Sequence, residues 1–430
     1  MQQASPRQHT DGLYYGWVVV ALSSYLVFLI SGVVFAFGIF FPSFEAEFGW
    51  SRSRISLAIS LHMFVYGVVQ IIIGRCMDRY GVRRVLLVSL LCIGVGSLAM
   101  AAMRSLWQLY LFYGVVVAAG YGGSGVVAQA VIAARWFARR LGLALALIFA
   151  GIGGGQLTIF PLVVRGIDAY GWPTTYGVLG GGFLVLVVPL LLLFMKEQPR
   201  DVGADLDGAA LPQHHSQAPL ERAVGVLDAC RTQAFWMLLL GFTACGFTWS
   251  MMTAHLVVLA LDLGFSRQLA ALSMGLVSAI SVGGMLVAGS LSDRIGRRLP
   301  LSVSYAMRGL AMLYLTTVRE TVGLMIFVVL FGLTFTSTIP LTSSFVRDLY
   351  GKLSVGGIFG VIAGAHQVGA VLGPVYAGYV YDTTGNYTVA LYVSSAILGA
   401  ATLLILLLRQ IDPEQRGLQP VVGEPQARSL

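Results

Sequence analysis

The chain has 430 residues, of which 57% are hydrophobic and only 11% are charged, and its formal net charge is +8. Soluble domains carry about 25% charged residues, so this composition excludes a soluble fold and predicts a membrane protein with several spans. The first thirteen residues are polar and lack a cleavable signal pattern. The four cysteines have neither disulfide nor metal spacing.

Twelve apolar runs follow one another along the chain, each near the roughly 20 residues that a membrane-spanning helix needs. The runs are approximately Tyr15–Phe41, Ile55–Gly74, Val85–Met103, Leu106–Ala130, Leu143–Val164, Thr175–Met195, Ala234–Leu261, Leu269–Ser290, Leu301–Thr317, Val322–Phe345, Val355–Tyr379 and Val389–Leu408. Short polar loops join them. The sequence therefore predicts an all-α membrane protein with twelve transmembrane helices.

One long polar break, residues 196–232, divides the runs six and six and contains three prolines, which is typical of a flexible linker. We expect cytoplasmic tails at 1–14 and 410–430, and six-helix halves at 15–195 and 233–409. Lysine and arginine concentrate in the loops that are cytoplasmic when both termini are inside. The basic excess therefore indicates orientation in a cytoplasmic (inner) membrane, and we expect no nucleic-acid partner.

A motif that joins the second and third runs returns between the eighth and ninth. It reads G-R-C-M-D-R-Y-G-V-R-R at Gly74–Arg84 and G-S-L-S-D-R-I-G-R-R at Gly289–Arg298, 215 residues later. The matching pairs are Gly74 with Gly289, Asp78 with Asp293, Arg79 with Arg294, Gly81 with Gly296, and Arg83 with Arg298. The same residues at the same place in two hydropathy patterns indicate an internal duplication of the six-helix half.

This repeated motif resembles the signature of the major facilitator superfamily. The resemblance implies two pseudo-symmetric halves around one central cavity, and a cytoplasmic latch that steadies the state closed to the cytoplasm. Asp78 is then expected to pair with loop arginines such as Arg139 or Arg140. Gly74 and Gly81 would permit close backbone approach and a tight turn. A basic loop that only fixes topology is the simpler interpretation of the same residues.

A second signature, Trp136–Gly155, resembles the start of helix 5 in monocarboxylate transporters and their bacterial oxalate–formate-antiporter-like relatives. The matching residues are Phe137, Arg139, Arg140, Ala144, Ala150, Gly151 and Gly155. Gly151 and Gly155 form a small-residue face for close helix packing. The resemblance implies transport of a small organic anion such as a monocarboxylate. That family typically has an arginine in helix 8, whereas Gly275–Gly283 here carries no charge. A transporter of a neutral or amphipathic metabolite or drug is the alternative, and a transporter-like membrane sensor is a further one.

Few polar side chains fall deep inside the predicted helices, and none of them is a carboxylate. Any proton coupling is therefore expected to use histidine, which titrates near neutrality. His366, next to Gln367, lies near the middle of the eleventh run. His255 lies toward the outer end of the seventh run, where Asp262 shares its face, and it is a candidate for an outer gate. Arg308 is the single cation inside a run, and superfamily resemblance places its helix at the periphery, which favours a structural role.

The resemblance also implies that runs 1, 4, 7 and 10 line the cavity, with run 11 beside them. Candidate substrate-binding residues are His366, Gln367, Phe335, Tyr121, Tyr25, His255, Phe359 and Arg308. Core packing is the simpler explanation for each aromatic residue. We find no paired catalytic carboxylates, no nucleophile signature and no metal pattern. We therefore expect a protein that is not an enzyme, has no cofactor, works as a monomer in the lipid bilayer, and binds a small molecule, with protons or a counter-anion as further partners.

Overall fold

The computed structural model describes residues 14–137, 140–196, 199, 224–351 and 355–408, except for the side chains of residues 75, 78, 141, 142, 355 and 356. Within this part the regular elements are helices, and the long ones correspond to the predicted runs. We number the membrane crossings α1 to α12.

The first half contains α1 to α6. Helix α1 is Tyr15–Val34 continued by Phe37–Phe48, α2 is Arg52–Tyr80, and α3 is Val82–Ala101. Helix α4 consists of Leu106–Leu109, a π-helical segment Tyr110–Val117, Ala118–Ser124 and Val126–Trp136. Helices α5 and α6 are the two parts of Leu141–Phe194 on either side of Gly171.

The second half contains α7 to α12, after a short helix at Val226–Ala229. Helix α7 is Gln233–Asp262, α8 is Arg267–Ile295, and α9 is Arg298–Leu315. Helix α10 is Thr321–Thr334 continued by Thr338–Tyr350, α11 is Val355–Thr384, and α12 is Thr388–Leu407. The predicted linker lies almost entirely outside the described residues.

The 54-residue helix Leu141–Phe194 must cross the membrane twice. At 1.5 Å per residue it would be about 80 Å long, whereas the hydrocarbon core is about 30 Å thick. Gly171 has φ 78° and ψ 164°, which interrupts the helix. Ten described helices are long and apolar enough to span a membrane. One of these ten is the long helix, which counts as two crossings because it is interrupted at Gly171. The 18-residue α9 is not among the ten and adds one more, so the total is the twelve crossings that the sequence predicts.

The repeated motif forms the same structure in both halves. Gly81 ends α2 and Gly296 ends α8, each with a φ of 85°, a left-handed conformation that favours glycine. The last matching arginines also agree: Arg83 donates to the carbonyl oxygen of Leu192 in α6, and Arg298 donates to that of Leu406 in α12. The internal duplication inferred from the sequence is therefore present as a pseudo-symmetric fold. We call the end of the bundle with these motifs the motif end, and the other the opposite end.

Three crossings are interrupted where the sequence predicts continuous helices. Helix α1 is interrupted at Phe35–Ala36, α4 at Gly125, and α10 between Thr334 and Thr338. None of these interruptions contains a proline. Irregular backbone at membrane depth is tolerated where it is buried in protein or lines a cavity, so the interruptions indicate the functional centre of the fold.

Glycines of the helix 5 signature bring α5 against α1, as predicted. A Cβ atom on Gly151 would overlap the carbonyl oxygen of Ser24, and one on Gly155 would overlap that of Phe28. Between the halves, α5 packs on α8, where a Cβ on Gly153 would lie 3.0 Å from Ala279. Helix α2 packs on α11, where a Cβ on Gly378 would lie 2.9 Å from the backbone of Arg52 and Ser53. These contacts place the centre of the bundle between the two halves.

Candidate functional site

A continuous set of aromatic rings runs through the centre of the bundle from one half to the other. We call it the aromatic chain; its members are Tyr66, Tyr121, Phe35, Trp249, Phe335, His366, Phe242 and Phe359. Neighbouring ring centroids lie 4.6 to 6.2 Å apart. Phe35, in the interruption of α1, connects the halves because it contacts Tyr121 at 5.5 Å and Trp249 at 6.2 Å.

In the first half the aromatic chain includes Tyr121, which the sequence analysis names as a candidate substrate-binding residue. Its ring stacks on Tyr66 at 4.6 Å, and Gln70 donates to the Tyr66 hydroxyl at 2.6 Å. Tyr121 is only 9% exposed. A cavity of about 20 Å³, lined in part by Tyr121, Ser31 and Gly125, lies where α4 is interrupted, and this volume is about that of a single water.

In the second half His366 lies between two aromatic rings of α7. Its ring centroid is 4.6 Å from that of Phe242 and 6.1 Å from that of Trp249. The close passage of α7 is possible because Gly246 faces the His366 backbone, where a Cβ would overlap the carbonyl oxygen. The residue as a whole is half-buried.

The other predicted members have different positions. Phe335 is 4% exposed and its ring lies 5.9 Å from Trp249, while Phe359 reaches the chain through Phe242 at 5.9 Å. The Gln367 side chain faces Gly67 of α2, and its Oε1 is buried without a hydrogen bond among the described atoms. Tyr25 is 38% exposed and stacks on Phe28 at 6.2 Å, outside the aromatic chain.

Arg308 is fully buried and reaches from α9 to the interruption of α10. One Nη donates to the Cys245 thiol at 3.0 Å, and the other donates to the carbonyl oxygens of Thr334 and, at 3.1 Å, Phe335. The hydroxyl of Thr338 lies 3.1 Å from the same thiol. The guanidinium thus donates hydrogen bonds to carbonyl oxygens at the interruption of α10.

Arg308 makes no ion pair with a carboxylate within the described part of the chain. The ion pairs found there involve other residues, and the Nε of Arg308 has no partner. A buried charge without a counter-charge is expensive in a membrane protein. The site therefore carries a positive charge next to the aromatic chain, since Phe335 belongs to both.

His255 does not face the centre of the bundle. It is fully buried near the opposite end, where Nδ1 lies 2.9 Å from the Tyr387 hydroxyl and Nε2 lies 3.1 Å from Ser56 Oγ and 3.0 Å from the Pro374 carbonyl oxygen. Burial raises the pKa of the Tyr387 phenol, so this hydroxyl keeps its proton. His255 thus links the two halves near the position where the sequence suggests an outer gate.

Beside His255 lies a charged group of residues that the sequence interpretation missed. We call it the Arg52 cluster; its members are Glu45, Arg52, Asp262, Asp382 and Tyr387. Arg52 lies just before the second apolar run, which is predicted to begin at Ile55, whereas the structure places it at the start of α2 with 7% exposure. Its partners are up to 335 positions away in the chain, so no local pattern brings them together, although the sequence places Asp262 near the candidate outer gate.

At the motif end, the second copy of the motif forms an ion-pair network. Arg297, which is 6% exposed, pairs with Asp293 at 2.6 Å and with Asp348 of α10 at 3.2 Å. Arg294 is exposed. Asp293 therefore pairs with an arginine as the latch hypothesis expects, but the arginine is Arg297, which was not among the predicted latch residues.

The first copy of the motif is described only in part. The side chain of Asp78 and all of Arg139 lie outside the described residues; Arg140 is exposed, and the Arg79 guanidinium lies 5.3 Å from the Tyr80 ring. No described atom comes within 4 Å of a Cβ built on Gly74. The tight turn predicted at Gly81 is present, but the close approach predicted at Gly74 is absent from this conformation.

Twelve crossings in two similar halves, with interrupted helices where the halves meet, define the fold of a secondary transporter. Comparison with known families agrees: the sequence profile of the Major Facilitator Superfamily matches residues 23–321 and 283–428. The chain belongs to this superfamily, and it is a multi-pass membrane transport protein rather than an enzyme.

Relatives support the resemblance found in the sequence. The uncharacterized MFS-type transporter YcxA of Bacillus subtilis (strain 168) is 28% identical over 86% of this chain and 90% of its own. Monocarboxylate transporter 11 of Homo sapiens is 27% identical over 93% of this chain and 84% of its own. The crystal structure of a bacterial homolog of the human lysosomal transporter Spinster, inward-facing and unoccupied, matches with a TM-score of 0.71 at 15% identity, over 92% of this chain and 96% of that one. This last likeness shows the fold.

Proposed function

We propose that the protein carries a small, monocarboxylate-like organic anion across the cytoplasmic membrane by alternating access. The observation that carries this proposal is the fully buried Arg308, whose guanidinium has no acidic partner among the described residues. A buried cation of this kind is stabilised by an anion that binds close to it. The names of relatives such as monocarboxylate transporter 11 point to the same class of solute.

The anion would bind beside the aromatic chain, next to the half-buried His366. Arg308 would attract it through Cys245 and the α10 interruption without direct contact, because Arg308 is fully buried. Gln367 offers an unpaired Oε1 nearby, which accepts a hydrogen bond from a protonated or hydroxylated solute. Phe335 and Tyr121 would form the walls, with Phe359 and Tyr25 at the margins.

Alternating access requires the two halves to separate at one end and then at the other. With both termini in the cytoplasm, the motif end is cytoplasmic. The network of Asp293, Arg297 and Asp348 lies within the second half, where it would hold the ends of α8 and α10 in position for the cytoplasmic latch, together with Asp78 of the first copy. One chain contains both halves and the whole site, so the monomer is the working unit, and protons or a counter-anion complete the cycle.

A neutral or amphipathic solute is the second candidate, because the aromatic chain offers stacking surfaces on both halves. Stacking and apolar burial bind neutral rings without any charge. The two candidates differ in their dependence on Arg308, since only an anion gains from its charge.

Uptake by proteoliposomes tests the choice. A panel should contain carboxylic acids, each matched with its uncharged amide, and the acid-to-amide ratio of kcat/KM should be measured in the wild type and in Arg308→Met. For an anion transporter the ratio favours the acid and falls at least tenfold in Arg308→Met. Arg319→Gln removes an exposed loop arginine and should leave the ratio unchanged. Preference for the amides, unaffected by Arg308→Met, would select the neutral candidate.

A further inference from the structure

We propose that the Arg52 cluster is the clasp that holds the opposite end of the transporter closed, and that Asp262 and Asp382 grip α2 through two independent contacts. Asp262 binds the Arg52 side chain, and Asp382 binds backbone amides at the start of α2. Both carboxylates belong to the second half, and Arg52 belongs to the first. Separation of the halves at this end must break both contacts.

The side-chain contact is a two-pronged ion pair. Nη1 and Nη2 of Arg52 donate to the two carboxylate oxygens of Asp262 at 2.5 and 3.0 Å, the fork geometry that makes arginine–carboxylate pairs strong. Glu45, from the same half as Arg52, accepts from Nε at 2.8 Å. Tyr381 of α11 lies under the guanidinium at 3.6 Å. Glu45 of the first half thus orients the guanidinium, while Asp262 and Tyr381 of the second half bind it across the interface between the halves.

The backbone contact is an unusual helix cap. The first amides of an α-helix lack partners within the helix, and Ser51, which precedes α2, makes no capping hydrogen bond with its side chain. Instead, Asp382 accepts from the amides of Arg52 at 3.0 Å and Ser53 at 2.9 Å. A carboxylate at this position is also favoured by the helix dipole. The start of α2 is therefore capped by the other half of the protein.

The side chains of the Arg52 cluster are exposed to different degrees. The Arg52 side chain is 8% exposed, whereas those of Glu45 and Asp262 are 27% and 32% exposed, so water can reach the carboxylates as the halves part. When they separate, Arg52 keeps Glu45 and is not left without a counter-charge. This distinguishes the cluster from the Arg308 site, where the cation is fully buried.

The same end of the bundle supplies a matched control. Arg267 of α8 pairs with Asp168, near the end of α5, at 2.8 Å, with side chains that are 34% and 52% exposed. This pair also bridges the halves, but it has a single contact and more solvent. Exposed pairs of this kind contribute little, so its loss should barely affect opening.

Opening can be measured by the reactivity of a cysteine placed behind the clasp. Ser56 is fully buried, one turn beyond Arg52, and contacts His255 of the second half. In Ser56→Cys protein in nanodiscs, the rate of labelling by a methanethiosulfonate reagent is followed at that position by peptide mass spectrometry, which separates it from the four native cysteines. The measurement needs no substrate, so its outcome is independent of the proposed anion.

In the Ser56→Cys background, Asp262→Asn should raise the labelling rate about tenfold or more, because it removes the only carboxylate of the second half that pairs with the Arg52 side chain among the described residues and leaves the Tyr387 hydroxyl and the Tyr381 ring as its contacts there. Asp382→Ala should raise it about fivefold through loss of the helix cap. Asp168→Asn should change it less than about twofold. Arg52→Lys, which keeps the charge but loses the fork, should fall between the wild type and Asp262→Asn.

Combination of variants tests whether the two contacts are separate. Arg52→Gln with Asp262→Asn should label no faster than the faster single variant, since both remove one interaction. Arg52→Gln with Asp382→Ala should multiply the two effects, because Asp382 contacts only the backbone at residue 52. Equal effects of Asp262→Asn and Asp168→Asn, in variants that remain monodisperse and melt as the wild type does, would overturn the clasp. A single saturating effect for all combinations would overturn the independence of the two contacts.

Discussion

Gly155→Ala is the substitution for which the structure gives the clearest expectation. Gly155 lies in the helix 5 signature, on the face of α5 that packs against α1. A Cβ atom there would overlap the carbonyl oxygen of Phe28 and would lie 2.5 Å from Ser31 Oγ. Ordinary van der Waals contact begins at 3.4 Å, so α1 must move away from α5 by more than 1 Å. Backbone cannot yield as a flexible side chain does.

The neighbouring Gly154 provides the control. A Cβ atom on Gly154 would meet only the Phe28 ring, at 3.4 and 3.6 Å. Both substitutions gain the same helix propensity, about 1 kcal/mol for glycine to alanine, so the difference between them isolates the packing cost. Overpacking of a well-packed interface typically costs about 1–3 kcal/mol. We therefore expect Gly154→Ala to be neutral or slightly stabilising, and Gly155→Ala to be less stable than Gly154→Ala by about 1–3 kcal/mol.

The assay is thermal unfolding in detergent, followed by the fraction of protein that elutes as a monodisperse peak after heating. Gly155→Ala should lose this peak at a lower temperature than the wild type, and Gly154→Ala should not. The uptake rate of Gly155→Ala should also fall, because a displaced α1 changes the position of Phe35 in the aromatic chain. Equal melting of the two variants would refute the assignment of the small-residue face to the α1–α5 contact.

Three further predictions concern the transport cycle. Asp78→Asn should slow turnover more than it lowers substrate affinity, because the motif lies far from the centre of the bundle. Counterflow measures the turnover and equilibrium binding measures the affinity. Normal turnover with a large loss of affinity would contradict the prediction. Arg297→Gln should have the same signature, whereas Arg294→Gln, at an exposed position, should resemble the wild type in both measurements. His366→Ala should weaken the binding of a carboxylate ligand, because its ring lies between Phe242 and Trp249 in the aromatic chain. Equilibrium binding measures the effect, Arg319→Gln in an exposed loop should leave the affinity unchanged, and unchanged affinity in His366→Ala would exclude a binding role for His366.

The membrane spans and the duplication could be predicted because they depend on composition and local pattern. Hydropathy located the crossings within a few residues at most ends, and the repeated motif fixed the pairing of the halves. The interruption of α10 was not predicted, since no proline marks it. For α4, the glycine-rich stretch at 120–125 indicates a close helix contact or a bend, and the helix is interrupted at Gly125. Helix interruptions of this kind depend on partners such as Arg308, which come from elsewhere in the chain.

The candidate site was predicted in part. Tyr121, Phe335, His366 and Phe359 do meet in the aromatic chain, because residues near the middle of cavity-lining helices must approach one another. Phe35, which connects the two halves, was not selected, since its position depends on the interruption of α1. The Arg52 cluster was missed because its members lie at helix ends that are far apart in the sequence.

The paired contacts of Arg83 with Leu192 and Arg298 with Leu406 have a consequence for how the protein can be divided. Each contact fastens the beginning of the third helix of a half to the end of its sixth, so each half is closed on itself at the motif end by its own arginine. A half fastened in this way does not need a covalent connection to the other in order to keep its shape. Two separately expressed pieces, cut within residues 200–223, should therefore find each other in the membrane and reconstitute uptake, and loss of either arginine should impair the piece that contains it.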